Sequence, residues 1–575
     1  MDRLYNRVVR LLLPFFALCF TTVSFAEGWS VHGINLQNTL EGPYGSLNGC
    51  LEVQELKGKV GIDSVSTRKN LIMSEWDTPD LRDDGKVTED QVARQFAQDK
   101  ALGLKSAFTM ALRLESDMKA GAAPNDPSVY KWRPWHGVIG FGTPDAYDHW
   151  FAAYQDKLLT YAKLAKKSGN VAVFAIGHEM TSIDKSLPLT SKTDITDYMN
   201  NLIYSIRRTS DGTSAWAKAE VGHLLSFSDA MAQRGQAAGQ GTVESAHWPI
   251  VEKIEKMFGS SDRQDIEKWA ADGGRSALSR GGQKLLIRLE NSRRAYLLGM
   301  WEQTIGKVKE QFSSMPADQR PKVTYDMNTG DGKSFYGSQV GFLKDLDAVS
   351  MGAYFPLGEK NLRSGRPIVD DKISVEDFKV KWQKALTNVS QFMSQNMPGK
   401  KVIFDELGYY DTRFSTVQPW SWDENQQLEK TNGDKFTSRA KERPVFSQER
   451  ENAVEALRQL VQEGKEPWID GAFLWNAYPK SNKKLGANYD GFCVDCGEGA
   501  PSYESELHKL FESTSEAMGP LSDASGVCQK LYPNNGRSAR VPYAAIQDRK
   551  THFDQGTSSS DQATASKGPS AEPAQ

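Results

Sequence analysis

Two glutamates stand directly after short apolar runs. Glu179 closes Phe174-Ala175-Ile176-Gly177-His178-Glu179, and Glu406 closes Val402-Ile403-Phe404-Asp405-Glu406. A buried strand that runs into polar residues presents them at its C-terminal end, where a barrel opens to its ligand. Taken singly, each acid is as readily a loop carboxylate that caps a helix. Taken together, two carboxyl groups suit acid/base and nucleophilic work on a glycosidic bond: the acid needs a raised pKa, and the nucleophile stays ionised. If the strand continues regularly, Asp405 and Glu406 point to opposite sides, one to the mouth and one to the surrounding helices. A third run, Gly471-Ala472-Phe473-Leu474-Trp475-Asn476, ends in an indole and an amide. The indole offers a flat apolar face to a sugar ring, and Asn476 offers hydrogen bonds to hydroxyls. The plainer alternative is a tryptophan packed under a rim.

These residues need a scaffold of alternating elements. Strands are expected at Trp29–Leu36, Asn70–Trp76, Lys105–Leu114, Val171–Ile176, Lys322–Tyr325, Ala348–Tyr354, Lys400–Phe404 and Gly471–Trp475. Helical periodicity falls between them at Thr88–Leu104, Tyr147–Lys167, Trp301–Phe312, Phe378–Met397 and Glu449–Glu463. Alternation of this kind argues for α/β architecture with parallel strands. No Gly-x-Gly-x-x-Gly follows the first strand, so a dinucleotide fold lacks support. Polar and aromatic residues gather after several strands, which favours a (β/α)8 TIM barrel. Residues 191–294 break the rhythm, being rich in Ala, Glu, Arg and Lys, and read as a large helical insertion after strand 4. It serves either as scaffolding bulk or as a wall of a polymer groove.

With these motifs in order, the chain resembles a clan A TIM-barrel glycoside hydrolase, and within that clan the family 113 β-mannanase group and its uncharacterised relatives. The Ile-Gly-x-Glu segment at Ile176–Glu179 matches the acid/base after the fourth strand. The Phe-x-Glu-x-Gly-Tyr segment at Phe404–Tyr409 matches the nucleophile ending the seventh. Trp475 matches the eighth-strand tryptophan that floors the sugar site. Thr324-Tyr325 with Asn328 resembles the fifth-strand region, and Tyr354 resembles the tyrosine that hydrogen-bonds the nucleophile. The resemblance spans residues 29–485. It implies retaining hydrolysis of β-linked polysaccharide, mannan-like or a bacterial exopolysaccharide. Glu179 and Glu406 would be catalytic, and His178, Tyr354, Trp475, Asn476, Trp76 and Asn328 would bind substrate. The group carries asparagine before the acid where this chain has His178. That departure supports an alternative: a non-catalytic carbohydrate-binding or envelope-polysaccharide assembly barrel. Trp132, Trp135, Trp420 and Trp422, in expected loops, are further stacking candidates, and Glu75 and Asp77 flank Trp76.

The bulk figures fit this reading. The 575 residues carry a formal net charge of -3, with 39% hydrophobic and 25% charged residues. No Lys/Arg stripe is evident, so nucleic acid is not an expected partner. Three arginines, an apolar run Leu11–Phe20 and a small-residue ending at Ala26 have the order of a signal peptide, residues 1–26, implying periplasmic or secreted location. No stable membrane insertion is expected after cleavage. Cys50, Cys493, Cys496 and Cys528 then remain, an even number that fits one or two disulfides of unassigned connectivity. A four-cysteine zinc site and a redox pair at Cys493/Cys496 are the rivals. The eight histidines are scattered and form no compact His/Asp cluster in the sequence, so no metal and no organic cofactor is expected. A metal-dependent polysaccharide deacetylase therefore ranks low. The expected organisation is a barrel domain at 27–520 including the insertion, an extension at 521–550 and a disordered tail at 551–575.

Overall fold

The fold is described from a computed structural model. It describes residues 31–36, 49–115 (a few positions aside), 136–207, 213–238, 260–328, 339–360, 367–368, 373–409, 452–477 and 525–532, together with 416, 417 and 419. The expected signal segment, the tail, Cys493, Cys496, Trp132, Trp135, Trp420 and Trp422 lie outside these residues, as do the side chains of Trp475 and Asn476.

Eight parallel strands form the centre: β1 (Val31–Leu36), β2 (Ser64–Met73), β3 (Lys105–Leu114), β4 (Val171–His178), β5 (Lys322–Met327), β6 (Val349–Gly352), β7 (Val402–Leu407) and β8 (Ile469–Ala477). Each pairs with the next, and β8 pairs back onto β1, so the sheet closes on itself. The protein is a (β/α)8 barrel. A short strand, Leu81–Asp83, runs antiparallel along β2.

Local sequence explains the elements that surround the barrel. Helix α1 (Glu89–Ala101) begins with a capping box between Thr88 and Gln91. Helix α2 (Pro144–Ser168) starts on the Thr143 cap with proline at its first position, and Gly169 ends it in the left-handed conformation at φ 60°. Insertion helices α3 (Lys192–Arg207), α4 (Thr213–Ala238) and α5 (Ser260–Ala271) lead into α6 (Arg280–Phe312). Helix α7 (Val375–Asn396) carries a Ser374/Asp377 capping box, and α8 covers residues 452–462. A final helix, α9 (Ser525–Leu531), is tied back by a disulfide between Cys528 and Cys50.

Two layers of core result. Outside the sheet, strand residues such as Phe108, Phe174 and Phe404 pack with Trp150, Trp301 and Trp382 from the helices. Inside, Val31, Ala107, Val173, Ala348, Ile403 and Phe473 fill the barrel. The Phe473 ring lies where a Cβ on residue 33 would sit, within 2.1 Å of that position, so β1 needs Gly33 there. Further along the same strands the interior turns polar, with Asn35, His178, Asp326, Asp405 and Glu406 all buried. A barrel filled with hydrocarbon at one end and charge at the other has its reactive end fixed by that asymmetry.

The second strand departs from expectation. It was expected over Asn70–Trp76 and runs instead from Ser64 to Met73. Its first half, Ser64-Val65-Ser66-Thr67-Arg68-Lys69, reads as too polar for a central strand. Burial there is made tolerable by ion pairs: Lys69, fully buried, binds Asp83, Asp84 (2.8 Å) and the Val87 carbonyl (2.6 Å), while Arg68 faces the interior carboxylates.

Helix α6 is continuous through two environments. Leu285, Leu286 and Leu289 close a small core with Leu202, Ile206, Leu224 and Trp269 of the insertion. Leu297, Trp301, Ile305, Val308 and Phe312 belong to the main core. The insertion is therefore built on an extension of a barrel helix. A buried ionic cluster joins the two parts: Arg293 binds Glu220 of α4 (2.5 Å) and Glu290 (2.6 Å), and Arg294 binds Glu290 (2.7 Å) and the Leu187 carbonyl (3.0 Å). Among the described residues, no helix is long and apolar enough to cross a membrane.

Candidate active site

Strand β4 delivers His178 and then Glu179 at the barrel's C-terminal end. Glu179 adopts φ +47°, a left-handed conformation that costs a residue with a side chain about 1–3 kcal/mol. The conformation is held by the Glu179 N–H donating to the Asp326 carbonyl (2.8 Å), the Thr181 N–H donating to the Glu179 carbonyl (2.9 Å) and the Met180 N–H donating to the Tyr325 hydroxyl (3.1 Å). Gly177 permits the turn's packing: a Cβ there would fall 2.5 Å from Met180 Cε and 2.6 Å from the Tyr325 ring.

Strand β7 brings Asp405 and Glu406 to the same region, which corrects the expectation that they diverge. The pairing register of β7 shifts between Phe404 and Leu407 against β8, and between Phe404 and Glu406 against β6. Such an irregularity re-aims a side chain. Asp405 keeps the inward face of Ile403, and Glu406 reaches the interior as well. Arg68 Nη2 pairs with Glu406 Oε1 and lies 4.0 Å from Asp405 Oδ2. The Tyr354 hydroxyl, just beyond β6, donates to Glu406 Oε2 at 2.7 Å. Both Glu406 oxygens are thus held by donors.

Behind this pair lies a buried polar chain. Asp405 lies beside Asp326, and burial pushes both acids well above the usual carboxylate range. Asp326 Oδ2 is in hydrogen-bond contact with His178 Nδ1. The Asn35 amide donates to the Asp405 carbonyl (2.6 Å). His178 Nε2 is thereby turned toward the two glutamates, 3.7 Å from Glu406 Oε1 and 3.9 Å from Glu179 Oε2. His136, on a short 3-10 turn at His136–Val138, approaches the same Glu179 oxygen at 3.9 Å.

The two glutamates experience opposite fields. Burial, reinforced by the negative charge of Glu406, raises Glu179 to about 8. Burial opposes ionisation of Glu406 too, but the Arg68 charge and the Tyr354 hydrogen bond outweigh it and bring its pKa below the ordinary 4.5. His178 is pushed down to about 3 by burial and by Arg68, so the ring is neutral. Burial and the neighbouring His178 likewise hold His136 well below its usual range.

The remaining sequence candidates are placed as follows. Tyr354 is in contact with Glu406. Trp76 is half-buried after β2, between exposed Glu75 and Asp77, and its ring centroid lies 5.3 Å from that of His223 on α4. Asn328 is half-buried immediately after β5. Trp475 and Asn476 are at the end of β8 by backbone position. Of the four cysteine candidates, Cys50 and Cys528 are joined. Sequence reasoning missed Arg68, His136 and Asp326, and set Asp405 on the face opposite Glu406. An arginine at a strand centre and an aspartate beside the noted Thr324-Tyr325 were the available signals. The histidines that look scattered in sequence also converge: His136 and His178 meet Glu179, and His178 meets Asp326 and Asp405. Two side-chain sets of metal-ligand type arise that residue spacing did not reveal.

No protein-family model matches the chain, and no curated protein matches it. Among solved structures it is similar to the GH113 β-mannanase AaManA from Alicyclobacillus acidocaldarius in complex with ManMIm, with 15% identity over 85% of this chain and 100% of that one and a TM-score of 0.45. It is similar to a GH113 β-1,4-mannanase, with 13% identity over 84% of this chain and 99% of that one and a TM-score of 0.45. A fungal β-1,4-galactanase shares 11% identity over 84% of this chain and 99% of that one, with a TM-score of 0.35. The chain is a (β/α)8-barrel protein with structural similarity to GH113 β-mannanases.

Proposed function

We propose that the protein is a retaining glycoside hydrolase acting on a β-linked polysaccharide, with Glu179 as acid/base and Glu406 as nucleophile. The observation that carries this reading is the opposed protonation of two carboxyl groups at one barrel mouth. Glu179 rises to about 8 and keeps its proton at neutral pH, while Glu406 is held as an anion. Environments that push two titratable groups apart assign the acid and the base. Glu406 attacks the anomeric carbon as Glu179 protonates the departing oxygen, and Glu179 then takes a proton from the water that releases the glycosyl-enzyme. His178 Nε2 accepts a hydrogen bond from a sugar hydroxyl. The proposed substrate is mannan-like or a bacterial exopolysaccharide. Periplasmic or secreted location is part of the same proposal, and the Cys50–Cys528 disulfide supports an oxidising compartment.

The test is a screen across β-linked glycans followed by Glu406→Ala and Glu179→Ala. On the true substrate each variant is expected to lose activity by at least about 10³-fold. Azide should rescue Glu406→Ala as the α-glycosyl azide and Glu179→Ala as the β-glycosyl azide. Proton NMR of the first product should show retained configuration. Full activity in either variant would exclude the assignment.

A further inference from the structure

The histidines at the mouth do more than surround the acid. We propose that His136 Nε2, His178 Nε2 and Glu179 Oε2 form a binding site for a borderline transition-metal cation of the Zn2+ class. Its occupation and that of the sugar site exclude one another; this second clause rests on the glycosidase reading, and the metal site itself does not.

Three observations carry the proposal. The first is convergence. Both imidazole nitrogens lie 3.9 Å from the same Glu179 oxygen, and the three ligand atoms all fall within 4.8 Å of one another. Tetrahedral zinc with bonds of about 2.0–2.2 Å sets its ligand atoms roughly 3.3–3.5 Å apart. Closing the site therefore asks each His–Glu spacing to shorten by roughly half an ångström and the His–His spacing by no more than about 1.4 Å. The second is the outer shell. Asp326 Oδ2 is in hydrogen-bond contact with His178 Nδ1, which leaves Nε2 facing the cluster. Asp326 is fully buried and lies beside Asp405. A metal-binding histidine is ordinarily oriented by a carboxylate on its other nitrogen, and here that carboxylate is anchored in the barrel interior. The third is access. The side chains of His136, Glu179 and His178 keep 22%, 17% and 6% of their surface exposed, so the site is walled yet reachable from the mouth.

The donor set selects the ion. Two imidazoles and one carboxylate suit Zn2+ or Cu2+, whereas Mg2+ and Ca2+ prefer oxygen ligands throughout. Three protein ligands leave a fourth position for water. Arg68 does not compete for that space, because its guanidinium is engaged by Glu406. A metal on Glu179 takes up the oxygen that would otherwise carry the proton for the leaving group.

The experiment titrates metal-stripped protein with Zn2+ by calorimetry, with Mg2+ as the control ion. One Zn2+ per chain is expected, with a dissociation constant at or below about 10 μM. His136 stands on a half-buried turn, so His136→Ala is the primary variant. It should weaken binding at least about tenfold, as should the outer-shell variant Asp326→Asn. Co2+ substitution should give the visible absorption of a four-coordinate centre, lost in His136→Ala. No binding up to about 1 mM Zn2+, or binding unchanged in His136→Ala, would overturn the site. Hydrolysis is measured separately on the metal-stripped protein. Activity there, abolished by Zn2+ in wild type and resistant to it in His136→Ala, supports mutual exclusion. Activity unaffected by saturating Zn2+ refutes that clause while the binding result stands. Binding without hydrolysis under any condition refutes the glycosidase reading alone.

Discussion

Tyr354 donates its hydroxyl proton to Glu406 Oε2 at 2.7 Å, on the side of the carboxylate opposite the Arg68 contact. This bond stabilises the anion, and a hydrogen bond to a charged group contributes about 1.5–3 kcal/mol. Tyr354→Phe is therefore expected to lower kcat/KM by roughly 10–100-fold. The acid limb of the pH profile should shift upward at the same time. Unchanged kinetics with an unchanged acid limb would show that the hydroxyl does not act on Glu406.

The pH profile itself is a second test. Glu179 must carry a proton, so activity is lost as pH rises through about 8. Glu406 must be ionised, so activity is lost on the acid side only below the ordinary glutamate value near 4.5. The profile of kcat/KM should be a bell spanning neutral pH. With an activated aryl glycoside that needs no acid assistance, Glu179→Gln should retain glycosylation and lose the alkaline limb. An alkaline limb that survives this substitution would assign it to another group.

Arg68 is required for stability as well as for the charge of Glu406. Arg68→Gln leaves the Glu406 anion without its cation, and breaking a buried pair in this way costs about 3–5 kcal/mol. Adding Glu406→Gln removes the orphaned charge, so the double variant should recover part of that loss. Chemical denaturation of the four proteins in the cycle measures it. Strictly additive losses would mean that the pair is not energetically coupled.

A buried acid away from the mouth should make the fold sensitive to alkali. Asp99 accepts from Gln95 Nε2 (2.6 Å) and Ser106 Oγ (2.7 Å), yet its burial raises it to about 8. The folded chain binds this proton more tightly than the unfolded chain, where the pKa is about 3.9. The group's contribution is thus most favourable below pH about 4, and stability declines by up to about 1.4 kcal/mol per pH unit until about 8. Asp99→Asn should flatten that decline. Urea midpoints at pH 5 and pH 8 compare the two proteins, and parallel declines would refute the assignment.

Much of the barrel was legible because its strands are apolar and its helices are punctuated. Lys105–Leu114 is predicted and observed with the same limits, and Gly169 ends α2 as expected, while the helix starts on the Thr143-Pro144 cap, three residues before the expected Tyr147. β2 was misplaced because its charged half is buried through partners distant in sequence. Arg68 meets Glu406 across 338 positions, and no local pattern encodes that.

By itself, the sequence determined the order of elements and the position of Glu179 just after the fourth strand and Glu406 at the end of the seventh. Hydrophobic periodicity and caps act within a few residues, and so can be read one segment at a time. Tertiary structure alone decided the protonation of the site. Register shifts in β7 turned Asp405 and Glu406 to the same interior. Barrel closure then brought Arg68, His136, His178 and Asp326 around them. A carboxyl group's pKa depends on the charges and the burial within a few ångströms of it, and those neighbours come from five separate stretches of the chain.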